Sequence, residues 1–258
     1  MAGLNIHIIL TLPFAALLIL YITAVIVSSQ RQKPWPLYRT AFWILGIFLS
    51  IMAVAGPLAA KAHHDFPAHM LGHLLLGMLG PLLMVLGAPI TLLFRTLNVR
   101  TARRISQLLK SSLIRFLTDP TVAAILNVGG LWVLYTTHLF MVMQQSPLLH
   151  IIVHLHVFLA GYLFTVSMIQ IDPAPHRTSF AYRAIVLVVA LAGHGILAKY
   201  IFACPPNGVP AAKAELGGMM MYYGGDAVDL FLIIIFCHQW YKAAKPRAIV
   251  QSQKTNEC

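Results

Sequence analysis

"HHDFPAHMLGHLLLGMLGPLLMVLGAP", residues 63–89, runs from a cluster of four histidines into an apolar stretch that carries no Asp, Glu, Lys or Arg before Arg95. A helix needs about 20 apolar residues to cross the hydrocarbon core of a bilayer, and this stretch supplies them from 70 to 94. Six comparable runs surround it, over 5–28, 40–60, 121–143, 148–171, 183–203 and 222–241. The chain of 258 residues is 59% hydrophobic and only 10% charged, which lies outside the range of soluble globular domains. The expected fold class is therefore all-α: a polytopic integral membrane bundle of about seven transmembrane helices. Residues 1–245 form one membrane domain on this reading and 246–258 a short tail. The first run lacks a basic flank and a cleavage site, so it reads as a retained span and not as a removable signal peptide. No repeat or low-complexity tract is visible.

Charge assigns the two sides. With seven spans the connections sort alternately, and one set comprises 29–39, 95–120, 172–183 and the tail from 242. It holds 15 of the 18 basic residues, while the other set holds only Lys61 and Lys213, with Lys199 inside a span. The positive-inside rule makes the basic set cytoplasmic, the N-terminus external and the C-terminus cytoplasmic. The formal net charge of +11 then reflects topology and contact with anionic lipid. Nucleic acid is not the expected partner, because the basic residues flank spans and form no DNA-binding motif.

Placed by depth, the twelve histidines are asymmetric. Only His176 and His238 fall on the cytoplasmic side. The other ten, His7, His63, His64, His69, His73, His138, His150, His154, His156 and His194, lie in the outer half or the outer loops. Polar side chains in spans face a bundle interior or a cavity, so histidines at one depth imply a shared polar site. Asp65 with Pro67 reads as the N-cap and first turn of the third span, which puts His69 and His73 on one face at i and i+4. Ser146 with Pro147 repeats the pattern for the fifth span, with His150 and His154. His156 points elsewhere, toward a hydrogen bond with a neighbouring helix. Interhelical hydrogen bonding is an equal alternative to metal binding for either pair. His63 and His64 read as solvated loop residues, and His194 as a packing partner.

Thr137, His138, Met141 and Met143 end the fourth span, and Met219, Met220 and Met221 precede the seventh. Imidazole and thioether together suit copper, although methionine equally fills apolar gaps. Asp226 and Asp229, placed near the outer end of the last span, need a partner there: a histidine ring, Lys199 or a metal. A carboxylate on the far nitrogen of a ligating imidazole would fix its tautomer. Gly77, Gly80 and Pro81 read as packing and bending positions, and Gly87-Ala88-Pro89 as the end of the third span. Cys204, Cys237 and Cys258 are spread over both sides and form no pair. No Walker loop, dinucleotide fingerprint, zinc finger or H-E-x-x-H is present, so nucleotide-driven pumping and hydrolytic metal chemistry are not expected.

The block "HMLGHLLLGMLGPLLMVLGAP", 69–89, resembles the signature of the CtaG-type cytochrome c oxidase assembly factors, the Bacillus-like, seven-span family. Further similarity lies in "KPWPLYR" (33–39), "TTHL" (136–139), "HIIVHLHVFLAGYLF" (150–164), "DPAPHR" (172–177) and "LGGMMMYYGGD" (216–226). Two positions depart from the family pattern: Glu215 in "KAELGG" stands near an expected Asp-Gln pair, and Gly72 replaces an expected glutamine. The resemblance implies a non-enzymatic role in the biogenesis of a haem-copper oxidase in the bacterial cytoplasmic membrane, with oxidase subunits as partners.

Joined with the residue reading, it gives an outer copper site of His69, His73, His150 and His154, with His138 next. Asp226, Asp229 and His64 are its second-shell or proton-linked groups. Two rival readings stand beside it: a b-type haem protein with paired axial histidines, and a metal-free assembly scaffold.

Overall fold

The computed structural model describes residues 2–173, 176 and 178–245. The predicted tail 246–258, with Cys258, and Arg177 lie outside the described residues. Among those described the chain is helical and contains no strand. Its order is α1 (Ala2–Arg31), α2 (Leu37–Val54), short α3 (Pro57–Ala62), α4 (Phe66–Leu86), α5 (Pro89–Thr96), α6 (Val99–Leu109), α7 (Ser112–Leu117), α8 (Pro120–Thr136), α9 (Leu139–Gln145), α10 (Pro147–Met168), α11 (Phe180–Ala203) and α12 (Ala211–Ala244). Among the described residues, six helices are long and apolar enough to cross a membrane unaided. The seventh expected span, 121–143, is broken: α8 and α9 meet at 81° across Thr137 and His138. The chain has the architecture of a multi-pass membrane protein.

The helix starts follow the sequence. Asp65 accepts from the Ala68 N–H at 3.4 Å ahead of Pro67, and Ser146 accepts from Leu149 N–H at 3.4 Å ahead of Pro147. Each cap satisfies one of the donors that a helix N-terminus leaves open. α4 ends at Leu86, and Ala88 takes the left-handed conformation (φ 50°) that turns the chain into α5. The last span differs from expectation. It is 34 residues long and starts at Ala211, three turns before the apolar run, because "AAKAELGG" continues the helix outward. Asp226 and Asp229 therefore lie near the middle of α12, and not near its outer end.

α4 is the central helix, with 67% of its span buried against 17–39% for the other five long ones. It packs on α2, α10 and α12. Glycines permit the close crossings: a Cβ on Gly46 would lie 2.8 Å from the Gly80 carbonyl oxygen, and one on Gly161 would lie 1.9 Å from that of Gly77. Small residues thus bring helix backbones together where lipid supplies no hydrophobic drive for association. Residues 75–79 of α4 form a wide turn, in which the Gly80 N–H reaches the Leu75 carbonyl. Pro81 has no N–H to offer the Gly77 carbonyl, and such widened turns recur at functional sites. A second wide turn spans 125–129 of α8.

The alternate sorting of connections is visible at both ends. At one end Arg31 donates to the Thr96 carbonyl, and Arg95 to Gln32 and to the Lys33 carbonyl. Arg39 and Arg95 each stand 5.1 Å from the Trp35 ring. At the other end Lys213 bridges to Asp65 at 3.2 Å, and Asn207 pairs with His138. Cys204 and Cys237 are free and exposed.

Candidate functional site

The i, i+4 spacing places His69 and His73 on α4, and His150 and His154 on α10, where the two helices cross. His150 and His154 stack with ring centroids 4.0 Å apart, and His154 stands 6.3 Å from His69. His63, from the loop after α3, stacks on the other side of His150 at 5.1 Å. Its ring in turn meets that of His7 of α1 at 6.1 Å, and His7 Nδ1 lies 2.7 Å from the Val54 carbonyl oxygen. Five imidazoles from α1, α4, α10 and a loop thus form one connected group at the Asp65 end of the bundle.

Hydrogen bonds fix some of these rings and leave others free. His69 Nε2 pairs with the Tyr135 hydroxyl of α8 at 3.1 Å, and His154 Nδ1 with the His150 carbonyl at 2.9 Å. His150 Nδ1 is buried and has no hydrogen-bond partner. His63, His69, His150 and His154 line a cavity of about 10 Å³. Among the described residues, no three or more His, Cys, Asp or Glu side chains already stand in metal-holding geometry.

His73 shares a cavity of about 20 Å³ with His69 and His154. Its own ring neighbour is His194 of α11, with centroids 6.3 Å apart. These two line a further cavity of about 30 Å³ with Asp229. His73, His194 and Asp229 are buried, and the Nε2 atoms of both rings lack a partner. Asp226, one turn before Asp229, is exposed and does not line that cavity. Lys199 lies over the Tyr222 ring at 5.1 Å and forms no ion pair with either aspartate.

His138 is placed apart. It sits exposed at the α8–α9 bend, with Nδ1 3.0 Å from Asn207 Nδ2. His64 is exposed as well, and its backbone carbonyl accepts from Lys213 Nζ at 3.1 Å. The hydrogen bond from Lys213 holds the Asp65 carboxyl below the ordinary carboxylate range. His156 Nε2 donates to the Leu126 carbonyl at 3.1 Å, the interhelical bond its face suggested. Sequence reasoning missed His7 and His63. His7 is a lone histidine in an apolar run, with Asn5 and Thr11 as its polar neighbours, and His63 reads as an exposed loop residue, which it is; only the docking of α1 and of the loop on α10 brings their rings to the group.

A family model described as cytochrome c oxidase caa3 assembly factor matches residues 19–243. An uncharacterized protein of Mycobacterium leprae (strain TN) is 28% identical over 67% of this chain, covering 28% of its own length. Another, of Mycobacterium bovis, is 31% identical over 64% of this chain and 26% of its own length. The chain therefore spans about a quarter of these curated relatives. No solved structure matches.

Proposed function

The chain belongs to the cytochrome c oxidase caa3 assembly factor family, and from that premise we propose that it binds copper at the outer end of its bundle and hands it to an oxidase subunit in the membrane. The observation that carries this reading is the stack His63–His150–His154, continued by His69, in which a buried ring nitrogen of His150 has no partner. An unsatisfied buried imidazole costs free energy, and metal coordination offsets that cost. The donor set is imidazole, which copper accepts. His150 and His154 of α10 and His69 of α4, where the two helices cross, are the rings such an ion would gather. An incomplete ligand set also suits a donor, because cargo must leave again.

The remaining parts follow from charge and depth. The Arg- and Lys-rich end faces the cytoplasm and the histidine end faces outward, in the bacterial cytoplasmic membrane. Transfer of an ion between ligand sets makes and breaks no covalent bond of a substrate, so the role is that of an assembly factor and not of an enzyme. Asp65 and Lys213 brace the loop that carries His63 and His64. The cavities among the histidines have room for an ion or a water, and not for a haem macrocycle.

The test is copper stoichiometry of the detergent-purified protein, wild type beside H63A, H150A and H154A, with oxidase activity of the cells measured in parallel. The expected result is loss of bound copper and of oxidase activity, the latter partly restored by added copper. Equal copper retention by all variants that elute as folded protein would overturn the site. Retained oxidase activity without copper binding would favour a metal-free scaffold.

A further inference from the structure

His73, His194 and Asp229 form a second polar centre that lies deeper than the outer histidine stack. His73 is seven residues into α4 and His194 nine residues before the end of α11, so at 1.5 Å per residue the centre lies roughly 10–14 Å inward, near the middle of the hydrocarbon core. Burying three such side chains there is costly unless they hold something.

The packing shows that room is made for these rings. A Cβ on Gly225 would lie 2.5 Å from His194 Cε1, and one on Gly77 would lie 3.3 Å from His73 Cε1. Each imidazole thus rests against a glycine on a helix, and in its interior a glycine lowers helix stability. The Nε2 atoms of both rings are buried without partners, and both rings line the cavity that Asp229 also faces. Its volume, about 30 Å³, is that of one small occupant.

We infer that His73 and His194 are the ligands of an inner site for a single monovalent transition-metal ion, cuprous copper, with the Asp229 carboxylate as its counter-charge. Two imidazoles can bind cuprous copper in a near-linear arrangement. Ring centroids on either side of one ion then stand about 6 Å apart for metal–nitrogen distances of about 2 Å, against the 6.3 Å between His73 and His194. Charge selects the oxidation state. One positive ion beside one carboxylate is neutral overall, whereas a divalent ion would leave a net charge in the membrane interior, where the desolvation cost is severe. Asp226, one turn before Asp229 on α12, is exposed and does not line the cavity, so Asp229 is the carboxylate in its wall.

The inner centre connects to the outer stack. The three small cavities share walls: His69 and His154 line the first and second, and His73 lines the second and third. An ion entering at His63 and His150 meets an imidazole at each step inward. The naming of copper rests on the proposed function above; the existence of an inner ion site does not.

The experiment loads the detergent-purified full chain anaerobically with cuprous copper against a competing chelator and counts bound ions, with silver(I) and zinc(II) as further probes. Wild type is expected to bind at an inner and an outer site. H194N and D229N should keep the outer ion, with H194N losing the inner one and D229N weakening it by about 10- to 100-fold. H150A with H154A should keep the inner ion. Silver should compete at the inner site and zinc should not. Unchanged stoichiometry in H194N that elutes as folded protein would overturn the inference, as would zinc binding there as well as silver. Loss at the inner site with no loss in the outer variants would instead sink the outer-site proposal alone. Should H194N fail to fold, D229N, which removes charge and keeps shape, decides the question by the same affinity change.

Discussion

Gly161→Ala should separate the two helices that carry the histidine stack. The added methyl would stand 1.9 Å from the Gly77 carbonyl oxygen, 2.8 Å from its carbon and 3.2 Å from its Cα. These are backbone atoms of α4, which cannot rotate away as a side chain does. The methyl is ~1.5 Å short of an ordinary van der Waals separation, so α4 and α10 must part by that order. Overpacking of this kind costs about 1–3 kcal/mol, and a clash with backbone belongs at the upper end. Alanine regains up to about 1 kcal/mol of helix propensity over glycine, so a net loss of about 2 kcal/mol remains. That is a roughly 30-fold change in the folded-to-unfolded ratio. The matched control is Gly129→Ala, whose Cβ would meet only Ile125 Cγ2 at 3.7 Å and should be neutral or stabilising. Folded protein remaining after graded heating in detergent, read by size exclusion for wild type, G161A and G129A, gives the comparison. The same parting draws His69 of α4 away from His154 of α10, so surviving folded G161A should also hold copper more weakly. If G161A survives heating as well as G129A and holds copper like wild type, the account of the α4–α10 crossing is wrong.

Two further outcomes test other contacts. Asp65→Asn keeps the N-cap acceptor and removes the charge facing Lys213, so at neutral pH it should cost about 0.2–1 kcal/mol, the range for exposed pairs. Asp65 is held below its ordinary value of 3.8, so its contribution is full above that value and disappears as the pH falls through the lowered one. Stability curves of wild type and D65N should therefore converge in acid, and a gap that persists at the lowest pH would refute the assignment. Tyr135→Phe removes the hydroxyl from His69 Nε2 and should lower stability by about 1 kcal/mol, within the range for interhelical hydrogen bonds in membranes. An unchanged unfolding midpoint would show that this bond is not made.

Much of the fold was legible from local pattern. Apolar length identifies spans because bilayer thickness sets a minimum helix length, and the Asp65-Phe66-Pro67 and Ser146-Pro147 caps are local chemistry that needs no partner. The i, i+4 histidine pairs were legible for the same reason, since helical periodicity alone puts both rings on one face. Hydropathy averages over turns, however, so it registered neither the 81° bend after Thr136 nor the outward extension of α12 from Ala211.

What the sequence by itself determined, then, is the helices, their caps and which faces carry imidazole, because each depends on neighbours within one or two turns. Only the tertiary structure decided which faces meet. It set His73 beside His194 and Asp229 as well as near His154, and it brought His7 and His63 onto His150 while leaving His138 with Asn207. The placing of His73 and His194 follows from where Gly77, Gly161 and Gly225 let helices and rings approach, and a contact between residues a hundred positions apart leaves no periodic trace in the chain.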